Sequence, residues 1–214
     1  MGREELEVIK RGIVKRRIKR RVGLFINGVG LDRATRRLEK KVDISRLVSG
    51  MTSGLELEVA RYYTLVPYED DARQLAFLDA VSRAGLEVIT KRLPPKGVMR
   101  QVSMDVHMAT DLINYCFGSF AKIPNVEAIS DEQSKVEANT VNGSTSVISR
   151  PVEQTKRLAS IVCPGRELSY AIFMANSQGV ETTLGDFGLY GQSDGWSGVD
   201  HWVDLSTSET IWRD

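Results

Sequence analysis

The chain has 214 residues, 42% hydrophobic and 27% charged, which excludes disorder over its whole length and suits one generous domain without disulfides or a structural metal. No apolar run approaches the roughly 18–20 residues of a membrane-spanning helix. The net charge of +1 hides a polarity: residues 1–21 hold nine Lys/Arg against three Glu (+6), and the remainder holds 20 basic and 25 acidic residues (−5).

The basic segment is read as an N-terminal arm over 1–21. Leu6, Ile9, Ile13, Val14 and Ile18 recur at near-helical spacing between its charges. Its acids come early and its bases late, which suits a helix dipole. The apolar stripe is thin, so the arm is expected as a solvated or partner-bound helix, or a disordered tail. Such a charged start is unlike a secretory leader. Cys116 and Cys163 lie far apart and outside any C-x-x-C spacing, so reduced thiols in a cytoplasmic protein are expected.

Val22 to Ile26 predicts a buried strand running into the glycine-rich turn Asn27-Gly28-Val29-Gly30. A charged helix is expected over 31–41. Leu55 to Val66 alternates and then reaches Tyr62-Tyr63, which predicts a strand. Leu75, Leu78, Val81 and Ala84 are spaced by threes and Gly85 is a natural stop, giving a helix over 70–84. Leu86 to Leu93 follows as a strand closed by Pro94-Pro95, and Val102 to Phe117 as a helix. Residues 118–157 are rich in Ser, Asn, Thr, Gly and Glu and read as an insertion with room for one hairpin. The alternation resumes with a strand at Leu158 to Cys163, a helix at Glu167 to Ser177 and a strand at Val180 to Leu184. A glycine-rich loop then leads to a last strand at His201 to Leu205. The whole predicts an α/β domain over 22–207, a largely parallel sheet with helices on both faces, and a tail over 208–214. Such folds place their sites at the carboxyl ends of the strands. That points to Asn27–Gly30, the turn before Asp105, and Pro164–Glu167.

Asp105 and Asp111 are six residues apart, and six residues of ideal helix turn through about 600°, so the two do not share a face. They converge only if Asp105 is the N-cap, outside the helix. His107 and Asp111, at i and i+4, do share a face. Gly28-Val29-Gly30 lacks the third glycine of a G-x-G-x-x-G fingerprint and no Lys-Ser/Thr follows. Glu167 opens a helix, where a carboxylate is favoured electrostatically without any catalytic duty. With two histidines in the chain, no Ser-His-Asp or Cys-His set is persuasive, and Cys/His spacing does not suit zinc.

These pieces together resemble the NYN domain, a PIN-like, LabA-type nuclease family, over about Val22 to Leu205. The family's opening strand, acid, turn and Asn-Leu/Phe pair is similar to Leu24-Phe25-Ile26-Asn27-Gly28-Val29-Gly30-Leu31. Its middle motif V-D-V-x-M/L-A-x-D is matched by Met104-Asp105-Val106-His107-Met108-Ala109-Thr110-Asp111. Its S-G-D-x-D-F turn falls on Cys163-Pro164-Gly165-Arg166-Glu167-Leu168, and its closing A-D-x-F-I-D-L strand on Val199 to Leu205.

The resemblance implies carboxylates that bind Mg²⁺ or Mn²⁺ to hydrolyse RNA, with Asp105, Asp111 and Glu167 as metal ligands and Asn27 as a neutral fourth catalytic group. It also marks departures. Asn27 and Gly165 stand where the family has acids, and Gly30 stands for the turn Asn. A carboxylate and a divalent ion at 4 Å attract by about 8 kcal/mol at an effective dielectric of 20, before desolvation. Two missing charges therefore weaken metal affinity. Two functions follow as expectations: a metal-dependent endoribonuclease of impaired activity, or a non-catalytic RNA-binding or scaffolding module. In both, Lys10, Arg11, Lys15, Arg16, Arg17, Lys19, Arg20 and Arg21 of the arm would grip RNA phosphates. No membrane partner is expected; protein partners and homo-oligomerisation stay open.

Overall fold

The computed structural model describes residues 18–69, 71–118, 155–188, 196 and 198–213. Its strands are β1 (Lys19–Asn27), β2 (Glu56–Val66), β3 (Glu87–Arg92), β4 (Thr155–Val162), β5 (Glu181–Asp186) and β6 (His201–Asp204). They form one sheet in the order β3-β2-β1-β4-β5-β6, and every pairing is parallel. Parallel neighbours need crossovers, and helices supply them. These are α1 (Gly28–Leu38), α2 (Ile44–Thr52), α3 (Ala72–Arg83), α4 (Asp105–Cys116) and α5 (Ser169–Ser177). The predicted α/β class and layering hold.

Period-two alternation along β1 decides what each face buries. Leu24 and Ile26 point to one side, where Leu31 and Ala34 of α1, Leu47 and Met51 of α2, and Leu78 and Val81 of α3 close over them. Phe25 points to the other, against Met108, Leu112 and Tyr115 of α4 and Ala171, Ile172 and Ala175 of α5. Gly23 lies on that second side, and a Cβ there would come within 2.9 Å of the Phe25 and Tyr115 rings. Those rings meet edge to face with centroids 5.7 Å apart.

Several boundaries differ from the sequence reading. The first helix starts at Gly28 rather than 31, because Asn27 caps it directly at the end of β1. α2 is not among the predicted elements, although Ile44, Leu47 and Met51 have helical spacing and Asp43 caps it by accepting the Arg46 N–H at 3.0 Å. Strand β4 takes in 155–157 from the expected insertion; of the rest, 119–154 lies outside the described residues. The expected tail is packed. Ile211 is buried, Trp212 bridges Val42, and the Arg213 N–H bonds the Lys41 carbonyl at 2.9 Å.

The arm is also shorter than expected. Lys19, Arg20 and Arg21 belong to β1, so neither the helix nor the tail extends to residue 21. Each pairs with an acid at the amino ends of the strands: Lys19 with Glu56 at 2.8 Å, Arg20 with Glu181 at 3.5 Å, and Arg21 with Glu56 at 3.7 Å and Glu58 at 3.9 Å. Glu58 is available because the β1–β2 register jumps there, with Val22 opposite Leu57 and Gly23 opposite Val59. Lys10, Arg11, Lys15, Arg16 and Arg17 lie outside the described residues. Among the described residues, no helix is long and apolar enough to cross a membrane.

A charged pair sits inside the second core. The Arg61 side chain is 1% exposed and its Nη1 lies 2.6 Å from Asp111 Oδ2. The Tyr63 hydroxyl donates to the same oxygen at 2.7 Å, and Arg61 Nε donates to Glu87 at 2.9 Å. Burial opposes charge on Arg61, but the Asp111 carboxylate, followed by Glu87, raises its pKa above the ordinary value. Burial and the Asp111 charge likewise push the Tyr63 phenol up, so it stays a donor. Removing one partner of such a pair strands the other in the core. Asp111→Ala is expected to destabilise the protein by about 3–5 kcal/mol, read as a lower urea midpoint at unchanged slope.

Candidate active site

The site is built where β1 gives way to α1. The Asn27 side-chain oxygen accepts the N–H groups of Val29 and Gly30, both at 3.1 Å, which satisfies two donors of the first turn. No loop intervenes, so the helix start is pressed against its neighbours. A Cβ on Gly28 would lie 2.4 Å from the Tyr62 ring, and one on Gly30 2.5 Å from the Cys163 carbonyl oxygen. These contacts account for the Gly-x-Gly pattern without a phosphate. They also leave no room for an Asn side chain at Gly30.

Asp105 does not sit where convergence with Asp111 requires. It is the first residue inside α4, not its cap. The Ser103 hydroxyl donates to Asp105 Oδ2 and accepts the Asp105 N–H at 3.0 Å. This holds the carboxylate at the mouth of a cavity of about 620 Å³ at the carboxyl ends of the strands. Asn27, Asp105 and Glu167 all line that cavity. Asp111 does not; a turn and a half further along α4 it faces the core and is held by Arg61 and Tyr63. His107 is exposed and is not in the lining either.

Gly165 lies between the two acids that do meet. Its missing Cβ would stand 2.8 Å from Glu167 Oε2 and 2.9 Å from Asp105 Oδ1. Those distances cap the separation of the two oxygens at 5.7 Å. Gly165 has φ −70° and ψ 155°, a conformation open to any residue. The backbone therefore does not demand glycine, and the two surviving carboxylates reach into the volume a side chain would take.

The sequence reading missed three contributors to the lining. Asp186 ends β5, which runs two residues beyond its predicted end. Arg33 and Arg166 bring cations to the same cavity, both on exposed side chains. An acid at the carboxyl end of a parallel strand was the available signal for Asp186. The arginines carried none, because helix α1 and the Gly165 turn are charged throughout.

Residues 21–123 match the NYN domain family. The match takes in Asn27, Asp105 and Asp111 and bears out the resemblance read from the opening and middle motifs; it ends before the turn at Cys163–Leu168 and the closing strand. Similarity of fold extends further than that segment. A protein of unknown function from Vibrio parahaemolyticus, solved by crystallography, is similar over 91% of this chain and 97% of its own, with a TM-score of 0.62 at 12% identity. No curated protein matches the chain.

The NYN resemblance implies a divalent metal, and the donor set can be tested against one. Among the described residues no group of three or more His, Cys, Asp or Glu side chains is placed to hold an ion. A three-carboxylate cage therefore does not fit. Mg²⁺ commonly takes one or two carboxylates at about 2.0–2.1 Å and fills the rest of its octahedron with water and substrate phosphate. Two oxygens no more than 5.7 Å apart can reach one such ion by small side-chain rotations. Asn27 is a poorer donor, since its oxygen already accepts two N–H groups.

Asp186 lines the same cavity. Burial raises its pKa and the nearby Asp204 charge adds to the effect, while the Phe187 N–H at 2.8 Å and the Cys163 thiol oppose it. The folded state thus holds a proton on Asp186 more tightly than the unfolded chain does. Stability on this account falls as pH rises from 3.8 through the raised folded value. Asp186→Asn is expected to raise the melting temperature at pH 7, with the gain disappearing as the pH falls to that of an ordinary carboxyl.

Proposed function

We propose that this chain is a divalent-metal-dependent nuclease acting on RNA, with a reduced acidic site. The observation that carries the reading is the meeting of Asp105 and Glu167 across Gly165, in a cavity at the carboxyl ends of parallel strands. Asp105 and Glu167 would hold Mg²⁺ or Mn²⁺. When bound, the metal supplies a polarised phosphate and an activated water.

The chain's own groups do the rest. Ser103 fixes the Asp105 carboxylate through its hydroxyl, so the ligand is oriented before anything binds. Asn27 keeps the first turn of α1 against the cavity. Arg33 and Arg166 offer guanidinium groups to phosphate oxygens, for which their forked donors are suited. The arm residues Lys10, Arg11, Lys15, Arg16 and Arg17 would add a salt-sensitive grip on the RNA backbone. Lys19, Arg20 and Arg21 are left out of that grip. They are paired with Glu56, Glu58 and Glu181, about 20–26 Å of strand away from Asn27.

A second reading, a non-catalytic RNA-binding module, is favoured by one observation. At the two family acid positions, Asn27 spends its oxygen on the α1 cap and Gly165 has no side chain at all. Cleavage of labelled single-stranded RNA in Mg²⁺ or Mn²⁺ separates the two. On the first reading, Asp105→Asn and Glu167→Gln each lower the rate by about 10²-fold or more, and chelation abolishes it. Equal turnover in wild type and both variants, or cleavage that survives chelation, would sink that reading.

Restoring an acid provides an independent check. Gly165→Asp is compatible with the backbone there and adds a third carboxylate. Tighter Mn²⁺ binding by calorimetry is expected, with Asp105 and Glu167 yielding a few tenths of an ångström.

A further inference from the structure

We propose that Trp202, helped by Trp196, is a base-stacking platform that restricts this cavity to unpaired RNA. The proposal rests on the reading of the cavity as an RNA site and adds the form of strand it takes.

Trp202 lies on β6, the last strand of the sheet, in register with Leu184 of β5, and Asp204 is in register with Asp186. Side chains two apart on a strand share a face, and paired residues of parallel neighbours share it too. Trp202 is therefore on the face that carries Asp186, and both line the cavity with Asp105, Glu167 and Arg166. Trp196 lines it as well and is partly buried against the second core.

The three tryptophans of the chain are used differently. Trp212 is spent on packing: it lies 5.8 Å from Phe187, under the Lys40 ammonium. Trp202 makes no aromatic ring contact among the described residues and keeps 37% of its surface in solvent. A solvent-exposed indole in a cavity shared with three carboxylates and two arginines is placed to take a flat apolar ring whose attached phosphate meets the cations. A nucleobase has that shape and that attachment. In an A-form duplex the base faces are stacked inside the helix and cannot reach an indole, whereas an unpaired strand can splay a base onto it.

The test is binding of a short labelled RNA by fluorescence anisotropy, in chelator so that nothing is cut. Three probes are compared on the full chain: the single strand, its duplex, and an abasic ribose-phosphate chain of equal length. Wild type is expected to prefer the single strand to both others. Trp202→Ala should lose roughly 5- to 150-fold in affinity for the single strand and nothing for the abasic chain. Trp202→Phe should recover most of the loss, which a merely structural role would not predict. The preference for bases over the abasic chain is read on wild type, so a poorly folding Trp202→Ala leaves the proposal exposed.

Equal binding of the abasic chain or the duplex, unchanged affinity in Trp202→Ala, or no RNA binding at all overturns the proposal. Failure of the catalytic reading looks different. Trp202-dependent binding without metal-dependent cleavage keeps the platform and removes the nuclease. Asp105-dependent cleavage with a KM indifferent to Trp202 keeps the nuclease and removes the platform.

Discussion

Strand β1 is hydrogen-bonded on both edges, to β2 and to β4, and carries apolar side chains on both faces. A strand in that position has no solvent side, so helices must cover it from above and below. The chain meets this requirement by winding outward through β2 and β3, then returning to the other side of β1 for β4, β5 and β6. The two windings part at the carboxyl ends of β1 and β4, and a crevice opens there. Asn27 and Cys163 stand at its two sides. Cys163 holds a left-handed φ of 50° as β4 turns away, with its carbonyl against Gly30. The location of the cavity thus follows from the way the sheet is wound.

The same winding assigns different work to the two acids of α4. Asp105 begins the helix at the crevice, where solvent and a polar partner, Ser103, accept its charge. Asp111 lies further along on the buried side, where an ionised carboxylate needs a full complement of donors. Arg61 and Tyr63, on adjacent residues of β2, supply them. A buried pair of this kind adds little net stability compared with apolar packing, but it fixes α4 in rotation and register against β2, because any slip leaves both charges unmatched. The orientation of Asp105 at the crevice is inherited from that lock. In this chain Asp111, which the motif offers as a ligand, serves as a structural anchor in the core.

At the crevice, loss of acidity and preservation of geometry go together. An amide at Asn27 performs the capping that a carboxylate would perform, since either oxygen can accept two N–H groups. The helix start survives, and the charge does not. At Gly165 the backbone keeps an ordinary extended conformation, and Asp105 and Glu167 have closed over the space of the missing side chain. Folding and charge are separable at both positions: neither the capping bond at Asn27 nor the extended backbone at Gly165 requires a carboxylate.

Much of the framework was legible in the sequence. Alternating apolar runs and helical stripes identified each strand and most helices, since burial on one face imposes a period that local sequence must carry. The motif around Asp105 and the turn before Glu167 were legible for a related reason: a site at strand ends sits where one period gives way to another. Sequence could not say which way Asp111 faces, because that depends on Arg61, fifty residues away on strand β2. It could not find Asp186, Arg33 or Arg166 as neighbours of Asp105, because strand order rather than chain order brings them together. It divided the charge at residue 21, whereas strand pairing drew Lys19, Arg20 and Arg21 into the sheet, where acids from β2 and β5 offset them. The sequence by itself determined the elements and their buried faces, which are local consequences of hydrophobic periodicity. Only the tertiary structure decided which charges meet, because electrostatic partners are chosen by distance in space.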